Sequence, residues 1–363
     1  MSLSCGIVGL PNVGKSTLFS ALTSTQAERG NYPFCTIEPN VAIVDVPDAN
    51  LEVLHRIIET QRVIPAQVKI VDIAGLIEGA SKGEGMGNQF LSNIRECDAI
   101  MHVVRCFGGT TVVRDAPVNP TRDMELIEFE LALADLDTVT RALERVQRKS
   151  RTGDKQAVFE AELLSRVQAL LEKGTWLRSQ EWKATEEEVI RPLCLMTMKP
   201  ILYVANVASD DLDGASALAQ QVATRAKNTG ASWLPVCGDI EAELSAMEPA
   251  DRAEFMADLG IATPGLDRLI QAVYRILGLQ TFYTAGEKEI RAWTITRGTT
   301  APAGAAVIHT DFERLFIRAQ IYSLEDLVAL GSEAAVKSAG KMRTEGRSYV
   351  LQENDVCYFL IGR

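Results

Sequence analysis

The chain has 363 residues, 47% hydrophobic and 23% charged, and its 48 acidic against 37 basic side chains leave a formal net charge of −11. That apolar content excludes a disordered chain, the length suits two or three domains, and the acidity argues against a surface coated throughout for nucleic acid. No apolar run approaches the ~18 residues that span a bilayer, the first residues carry no basic leader region, and the seven cysteines are scattered without a CxxC pair. Free thiols and a cytoplasmic location are the expectation.

In chain order, residues 3–8 predict a short apolar strand, 9–16 a glycine loop and 17–23 a helix. Apolar runs at 41–46, 68–71 and 99–106 predict buried strands, and their alternation with helical stretches predicts an α/β domain with a mainly parallel sheet. The pattern then changes. Phe129, Leu133, Leu136, Thr140, Leu143 and Val146 recur at spacings of three and four, as do Phe159, Leu163, Val167 and Leu170 beyond a turn-like break at 150–154. This predicts an inserted helical hairpin of coiled-coil character, its seam formed by those residues. Strands at 200–206 and 233–237 and an amphipathic helix at 266–277 resume the first domain. Strands at 290–295, 316–321 and 356–361, with a short helix at 324–330, predict a small α+β module. The expected domains are 1–121 with 193–278, the insertion 122–192, and 279–363.

Residues Gly9-Leu10-Pro11-Asn12-Val13-Gly14-Lys15-Ser16 match G-x-x-x-x-G-K-[ST] between a strand and a helix. Glycines let successive backbone N–H groups turn inward around phosphate oxygens, and the helix N-terminus adds partial positive charge. Asn12, Val13, Gly14, Lys15, Ser16 and Thr17 are the expected phosphate binders, with Lys15 on the β- and γ-phosphates and Ser16 on Mg²⁺. Asp72 opens a D-x-x-G at the end of an apolar run, 57 residues after Lys15. It is the expected second Mg²⁺ group, with Thr36 completing the shell and the Gly75 N–H sensing the γ-phosphate. The glycine-rich segment 79–87 follows and reads as a loop that orders with nucleotide state.

The runs around residues 9–17, 31–40 and 72–88, together with Arg291-Ala-Trp-Thr-Ile, His309-Thr-Asp-Phe-Glu-Arg and Glu345-Gly-Arg, resemble the YchF branch of the Obg-related translation-factor GTPases, also called Obg-like ATPases. The resemblance spans essentially the whole chain. It implies a P-loop NTPase domain with an inserted hairpin and a C-terminal TGS module of ubiquitin-like β-grasp fold. It further implies a ribosome-associated switch that prefers ATP to GTP.

Base recognition is expected at Asn206-Val207-Ala208-Ser209, where relatives of this branch carry Asn-x-x-Glu and guanine-reading enzymes Asn-Lys-x-Asp. Ser209 lacks the paired acceptors of a carboxylate, so strong guanine selectivity is not expected. Asp210 is a possible substitute, and a helix cap is an equally good reading of both residues. Leu76 stands where Ras-like enzymes place a water-orienting Gln, so turnover is expected to be slow. Asn12 is a candidate K⁺ ligand, and His102, one of three histidines, a candidate water-orienting group or else a buried core histidine.

Residues 141–155 hold six basic and two acidic side chains, and Lys337, Lys341, Arg343 and Arg347 enclose one Glu. Hairpin tip and C-terminal module are therefore the expected contacts for rRNA phosphates, although solvated charged faces read the same way. A ribosome or ribosomal subunit is the expected partner, beside ATP or GTP; neither membrane nor DNA is. The rival readings are a small-molecule kinase, a GTP-specific switch and a nucleotide-dependent scaffold that does not hydrolyse.

Overall fold

The computed structural model describes residues 3–29, 40–73, 86–108, 117–151 and 153–362. In chain order the elements are β1 (Ser4–Val8), α1 (Lys15–Arg29), β2 (Val41–Asp45), α2 (Ala49–Ile57), β3 (Val63–Ile64), β4 (Gln67–Asp72), α3 (Met86–Glu96) and β5 (Ala99–Arg105). Next come α4 (Pro120–Ser150), α5 (Lys155–Glu172), α6 (Ala184–Ile190), β6 (Ile201–Asn206), α7 (Ala217–Asn228), β7 (Ser232–Val236), α8 (Gly238–Ser245), α9 (Pro249–Asp258) and α10 (Gly265–Ile276). The C-terminal run is β8 (Leu279–Ala285), β9 (Ile290–Thr296), α11 (Ala301–Ile308), α12 (Asp311–Leu315), β10 (Phe316–Ser323), α13 (Leu324–Leu330), α14 (Glu333–Ser338), β11 (Arg343–Glu345) and β12 (Asp355–Ile361). Among the described residues no helix is long and apolar enough to cross a membrane.

The chain divides into two compact units, Met1–Ala42 with Lys69–Leu269 and Ile43–Val68 with Ile270–Arg363. The first sheet has the order β2-β4-β1-β5-β6-β7, and β1, β4, β5, β6 and β7 pair in parallel. Every residue of β1, β5 and β6 is buried, which is why these strands read as continuous apolar runs. Their edges set the site, because β1 and β4 end beside each other with Ile7 opposite Asp72.

The hairpin starts where Asn119 caps α4, its side chain accepting from the Arg122 N–H at 3.1 Å, with Pro120 in the first turn. Asp154 caps α5 in the same way. The two helices share their own core, in which Val139 and Leu143 meet Leu163, Leu164, Val167 and Leu171. The expected seam is corrected in its first half. Phe129 is 62% exposed, and the residues α4 buries there are Met124, Ile127 and Leu131, which join the core of the first sheet. The cause is a length mismatch: 31 residues of α4 extend about 46 Å, whereas 18 residues of α5 extend about 27 Å. Only the distal part of α4 can therefore face α5.

In the second unit the sheet order is β11-β10-β12-β8-β9-β3. The last strand, β12, runs parallel to β8, while β8–β9, β10–β11 and β10–β12 are antiparallel. Over residues 279–361 this is a β-grasp arrangement, with the first and last strands adjacent at the centre. Phe282, Trp293, Phe316, Ile321 and Leu351 form its core. The segment 43–68 belongs to this unit through β3, whose Val63 and Ile64 pair with Ile290 and Arg291.

Candidate phosphate site

The glycine loop leaves β1 and enters α1 at Lys15. Its path requires two positive-φ residues, Asn12 (62°) and Gly14 (89°). A Cβ on Gly14 would lie 2.0 Å from Asn206 Nδ2, and one on Gly9 would lie 2.9 Å from the Val103 carbonyl oxygen. Both positions thus need glycine for space, and Gly14 for its dihedral as well. Val13 is buried, Lys15 half-buried, and Asn12 and Ser16 exposed. The first turn of α1 presents free N–H groups at this point, as any helix start does.

Asn206 organises the loop. At the end of β6 and 4% exposed, it donates from Nδ2 to the Val13 carbonyl at 2.9 Å, and its Oδ1 accepts from the Gly238 N–H at 3.0 Å. Its amide is thereby committed to two backbone segments rather than pointing at a base. Gly238, at the start of α8, was not foreseen; the strand-to-glycine junction at Cys237-Gly238 is its only local signal. Val207, the other expected base neighbour, is 2% exposed and bonds through its N–H to the Val236 carbonyl at 2.9 Å. Ser209 and Asp210 are both exposed in a turn closed by Asp211 N–H to the Ala208 carbonyl. The helix that follows, α7, is capped by Ser216, whose hydroxyl accepts from the Ala219 N–H at 3.2 Å, while Asp211 accepts from the Ser216 N–H at 2.8 Å.

Lys15 and Asp72 are ion-paired through Nζ and Oδ1. Asp72 is fixed by strand pairing and by its own N–H, which donates to the Asn40 carbonyl at 2.7 Å. The ammonium, the Ser16 hydroxyl and the Asp72 carboxylate belong to adjoining elements, and hydroxyl plus carboxylate are hard oxygen donors suited to Mg²⁺. Thr36 and Gly75, with Leu76 and most of the 79–87 segment, lie outside the described residues.

The backbone of His102 lies beside the start of the loop, opposite Val8, but its ring is buried against Tyr203. It lies in β5 between Val8 and Tyr203 of the neighbouring strands, is 1% exposed, and packs its ring 5.6 Å from that of Tyr203. Burial holds its pKa down to about 4, with Glu128 acting weakly the other way. It is a neutral imidazole at physiological pH, and its Nδ1 has no hydrogen-bond partner among the described residues.

The two basic clusters differ. At the hairpin tip Arg145, Arg148, Arg151 and Lys155 are exposed, while Arg141 is paired with Asp137 at 2.7 Å. In the C-terminal module the charges are largely engaged. Lys341 pairs with Asp326 at 3.3 Å and Arg343 with Asp355 at 3.7 Å, and Arg347 donates to the Phe316 and Glu313 carbonyls.

Comparison with known proteins covers both ends of the chain. A family model described as 50S ribosome-binding GTPase matches residues 4–140, and one described as YchF-GTPase_C, a protein of unknown function, matches residues 279–362. The chain is 50% identical over 361 residues to the ribosome-binding ATPase YchF of Escherichia coli O157:H7, and 47% identical over 362 residues to that of Bacillus subtilis, with 99% of each chain covered in both cases. It is also similar to the solved structure of the Schizosaccharomyces pombe YchF GTPase, with a TM-score of 0.91 and 34% identity over 99% of this chain and 98% of that one.

Proposed function

The chain belongs to the YchF family of ribosome-binding ATPases, and from that premise we propose a cytoplasmic switch that binds and slowly hydrolyses ATP and engages the ribosome. The observation that carries the nucleotide reading is the Asn206 clamp, which ties the Val13 carbonyl of the glycine loop to the end of β6, together with the Lys15–Asp72 ion pair.

In this reading the N–H groups of residues 12–17 cradle the phosphates, and Lys15 leaves Asp72 for the β- and γ-phosphate oxygens. Ser16, Asp72 and Thr36 would hold Mg²⁺, which when bound offsets phosphate charge. Gly75 supplies the N–H that senses the γ-phosphate. Leu76 has no polar atom to orient water, and the His102 ring is buried against Tyr203, so slow intrinsic turnover is the proposed consequence. Asn12 is the proposed K⁺ ligand: hydrolysis should be faster in K⁺ than in Na⁺ buffer, and equal rates reject that role. Asn206 and Val207 shape the base pocket through the backbone they hold, and ATP is the proposed substrate, with GTP a weaker second.

For the ribosome, the exposed cations of the hairpin tip support a phosphate contact better than the internally paired ones of the C-terminal module. Calorimetric titration with non-hydrolysable ATP and GTP analogues and Mg²⁺ tests the nucleotide assignment, and ATP failing to bind would overturn it. Co-sedimentation with purified ribosomes across a salt series tests the partner. Binding that weakens with salt, and that Arg148→Glu with Arg151→Glu weakens further, is the expected result.

A further inference from the structure

Strand β5 is buried along its whole length, and its last residue breaks the apolar rule. Arg105 is 2% exposed, although arginine is almost never fully buried unless paired. Among the described residues no carboxylate pairs with it. Its partners there are neutral. Nε donates to the Phe107 carbonyl at 3.2 Å, the guanidinium lies 4.6 Å from the centroid of the Phe107 ring, and Nη1 has no hydrogen-bond partner. A charge taken out of water without an opposite charge is costly to hold, and such rules are broken chiefly at functional sites.

The place of Arg105 says which opposite charge it meets. Arg105 follows Val103 by two, so the two side chains share a face of the strand. The glycine loop begins against that face: a Cβ on Gly9 would lie 2.9 Å from both the Val103 carbonyl oxygen and Val13 Cγ2. Across the sheet Arg105 stands opposite Asn206, whose amide holds the Val13 carbonyl. The loop is thus tied to two residues that flank Arg105, one along its own strand and one on the next. We propose that Arg105 sets nucleotide affinity through its charge, which no described side chain offsets and which the phosphate chain meets. In a site withdrawn from water a fixed charge acts over several ångströms, so the effect grows with the number of phosphates and ignores the base. This inference rests on the nucleotide reading and adds to Lys15 a second cation, supplied by the sheet rather than the loop.

The test uses the full chain, Mg²⁺-free AMP, ADP and ATP, and two variants that separate charge from geometry. Arg105→Gln drops the charge and keeps a donor for the Phe107 carbonyl, whereas Arg105→Lys keeps the charge and loses the planar contact with the ring. Calorimetric titration at fixed ionic strength should show Arg105→Gln losing affinity about twofold for AMP and about tenfold or more for ATP, with ADP between them and GTP falling by the same factor as ATP. Arg105→Lys should stay within about threefold of the wild type for all of them. Without nucleotide, Arg105→Gln should melt at or above the wild-type temperature, because a costly buried charge has gone, and ATP should raise its melting temperature less than that of the wild type.

A wild type that does not bind ATP overturns the nucleotide reading itself. A wild type that binds, beside an Arg105→Gln that loses at least as much affinity for AMP as for ATP, loses none, or melts lower without nucleotide, overturns this inference alone. So does Arg105→Lys falling as far as Arg105→Gln, which makes the residue a prop for Phe107. Asp115, the one carboxylate in residues 109–116, is the remaining control. Asp115→Asn should leave ATP affinity unchanged, and a change that vanishes in the Arg105→Gln background would make that carboxylate the partner and overturn the proposal.

Discussion

Asn206 Nδ2 donates to the Val13 carbonyl across 193 residues of sequence. Its Oδ1 holds Gly238 at the same time, so one buried amide fixes the phosphate loop and the start of α8 together. Asn206→Ala leaves the Val13 carbonyl and the Gly238 N–H unpaired, at about 1–3 kcal/mol for each. Titration of ADP and GDP should show both affinities falling by a factor of roughly ten to a hundred, and by equal factors. A loss confined to one nucleotide would mean that Asn206 acts on the base. Gly14→Ala, whose Cβ would lie 2.0 Å from the same amide, should reproduce the loss.

The Lys15–Asp72 ion pair separates two contributions of Asp72. The carboxylate pairs with the ammonium that is proposed to meet the phosphates. Asp72→Asn removes that competition together with the carboxylate proposed to hold Mg²⁺. Affinity for Mg²⁺-free ADP should therefore rise severalfold, while the increment that Mg²⁺ adds to ATP binding should shrink. Single-turnover hydrolysis should fall about a hundredfold or more, in line with the removal of a group that stabilises transition-state charge. If Mg²⁺-free ADP binds more weakly to Asp72→Asn, the ion pair is aligning Lys15 for nucleotide rather than competing for it.

The phosphate loop was legible because its chemistry is local: eight consecutive residues specify the turn, the donors and the helix start. Asn206 is legible only through the resemblance to the family's Asn-x-x-Glu motif, while the contact it makes here is long-range, and Gly238 has no signal beyond a glycine at a strand end. Phe129 shows the limit of periodicity. A spacing of three and four says that a helix has an apolar face, and cannot say whether that face meets α5, the sheet or solvent. The pairing of Val63 and Ile64 with Ile290 and Arg291 was out of reach for the same reason, since two residues cannot specify a partner more than two hundred positions away. His102 carried a readable signal that its scarcity obscured. Its neighbours Ile100, Met101, Val103 and Val104 are all apolar, and a strand with no alternation is buried on both faces.

The buried, neutral His102 makes stability depend on pH in a defined direction. Unfolded, it takes up a proton near 6.5; folded, burial holds its pKa down to about 4. Its contribution is fully present above pH 6.5 and is lost as pH falls through that value toward 4, amounting to about 3 kcal/mol. Burial raises the Asp135 and Glu241 carboxyls, which act in the opposite sense at the acidic end. The comparison must therefore be made against His102→Gln, which lacks only the histidine. Urea denaturation from pH 7.5 to 4.5 should show the wild type losing stability faster than the variant. Parallel slopes would place a charged or exposed histidine at this position. Single-turnover hydrolysis at neutral pH should be the same in both proteins, and a large loss in His102→Gln would return a catalytic role to it.

In the proposed base site, selectivity rests on Ser209, which is exposed in a turn closed by the Asp211 N–H on the Ala208 carbonyl. A hydroxyl offers guanine no pair of acceptors for N1–H and N2–H₂, so it gains nothing from guanine over adenine. With Asn206 committed to the backbone, no described side chain on this turn takes over except through Asp210. Ser209→Asp adds the missing carboxylate without disturbing the turn, because the Ser209 side chain is exposed and makes no hydrogen bond among the described residues. GTP affinity should rise about tenfold or more, the value of a charged hydrogen-bonding partner at roughly 1.5–3 kcal/mol, while ATP affinity stays level or falls. Asp210→Ala is the companion measurement. In the wild type it should leave the ATP-to-GTP ratio unchanged, since the side chain is solvated; a selective loss of GTP binding would show that the turn shifts by one residue and that Asp210 already reads the base.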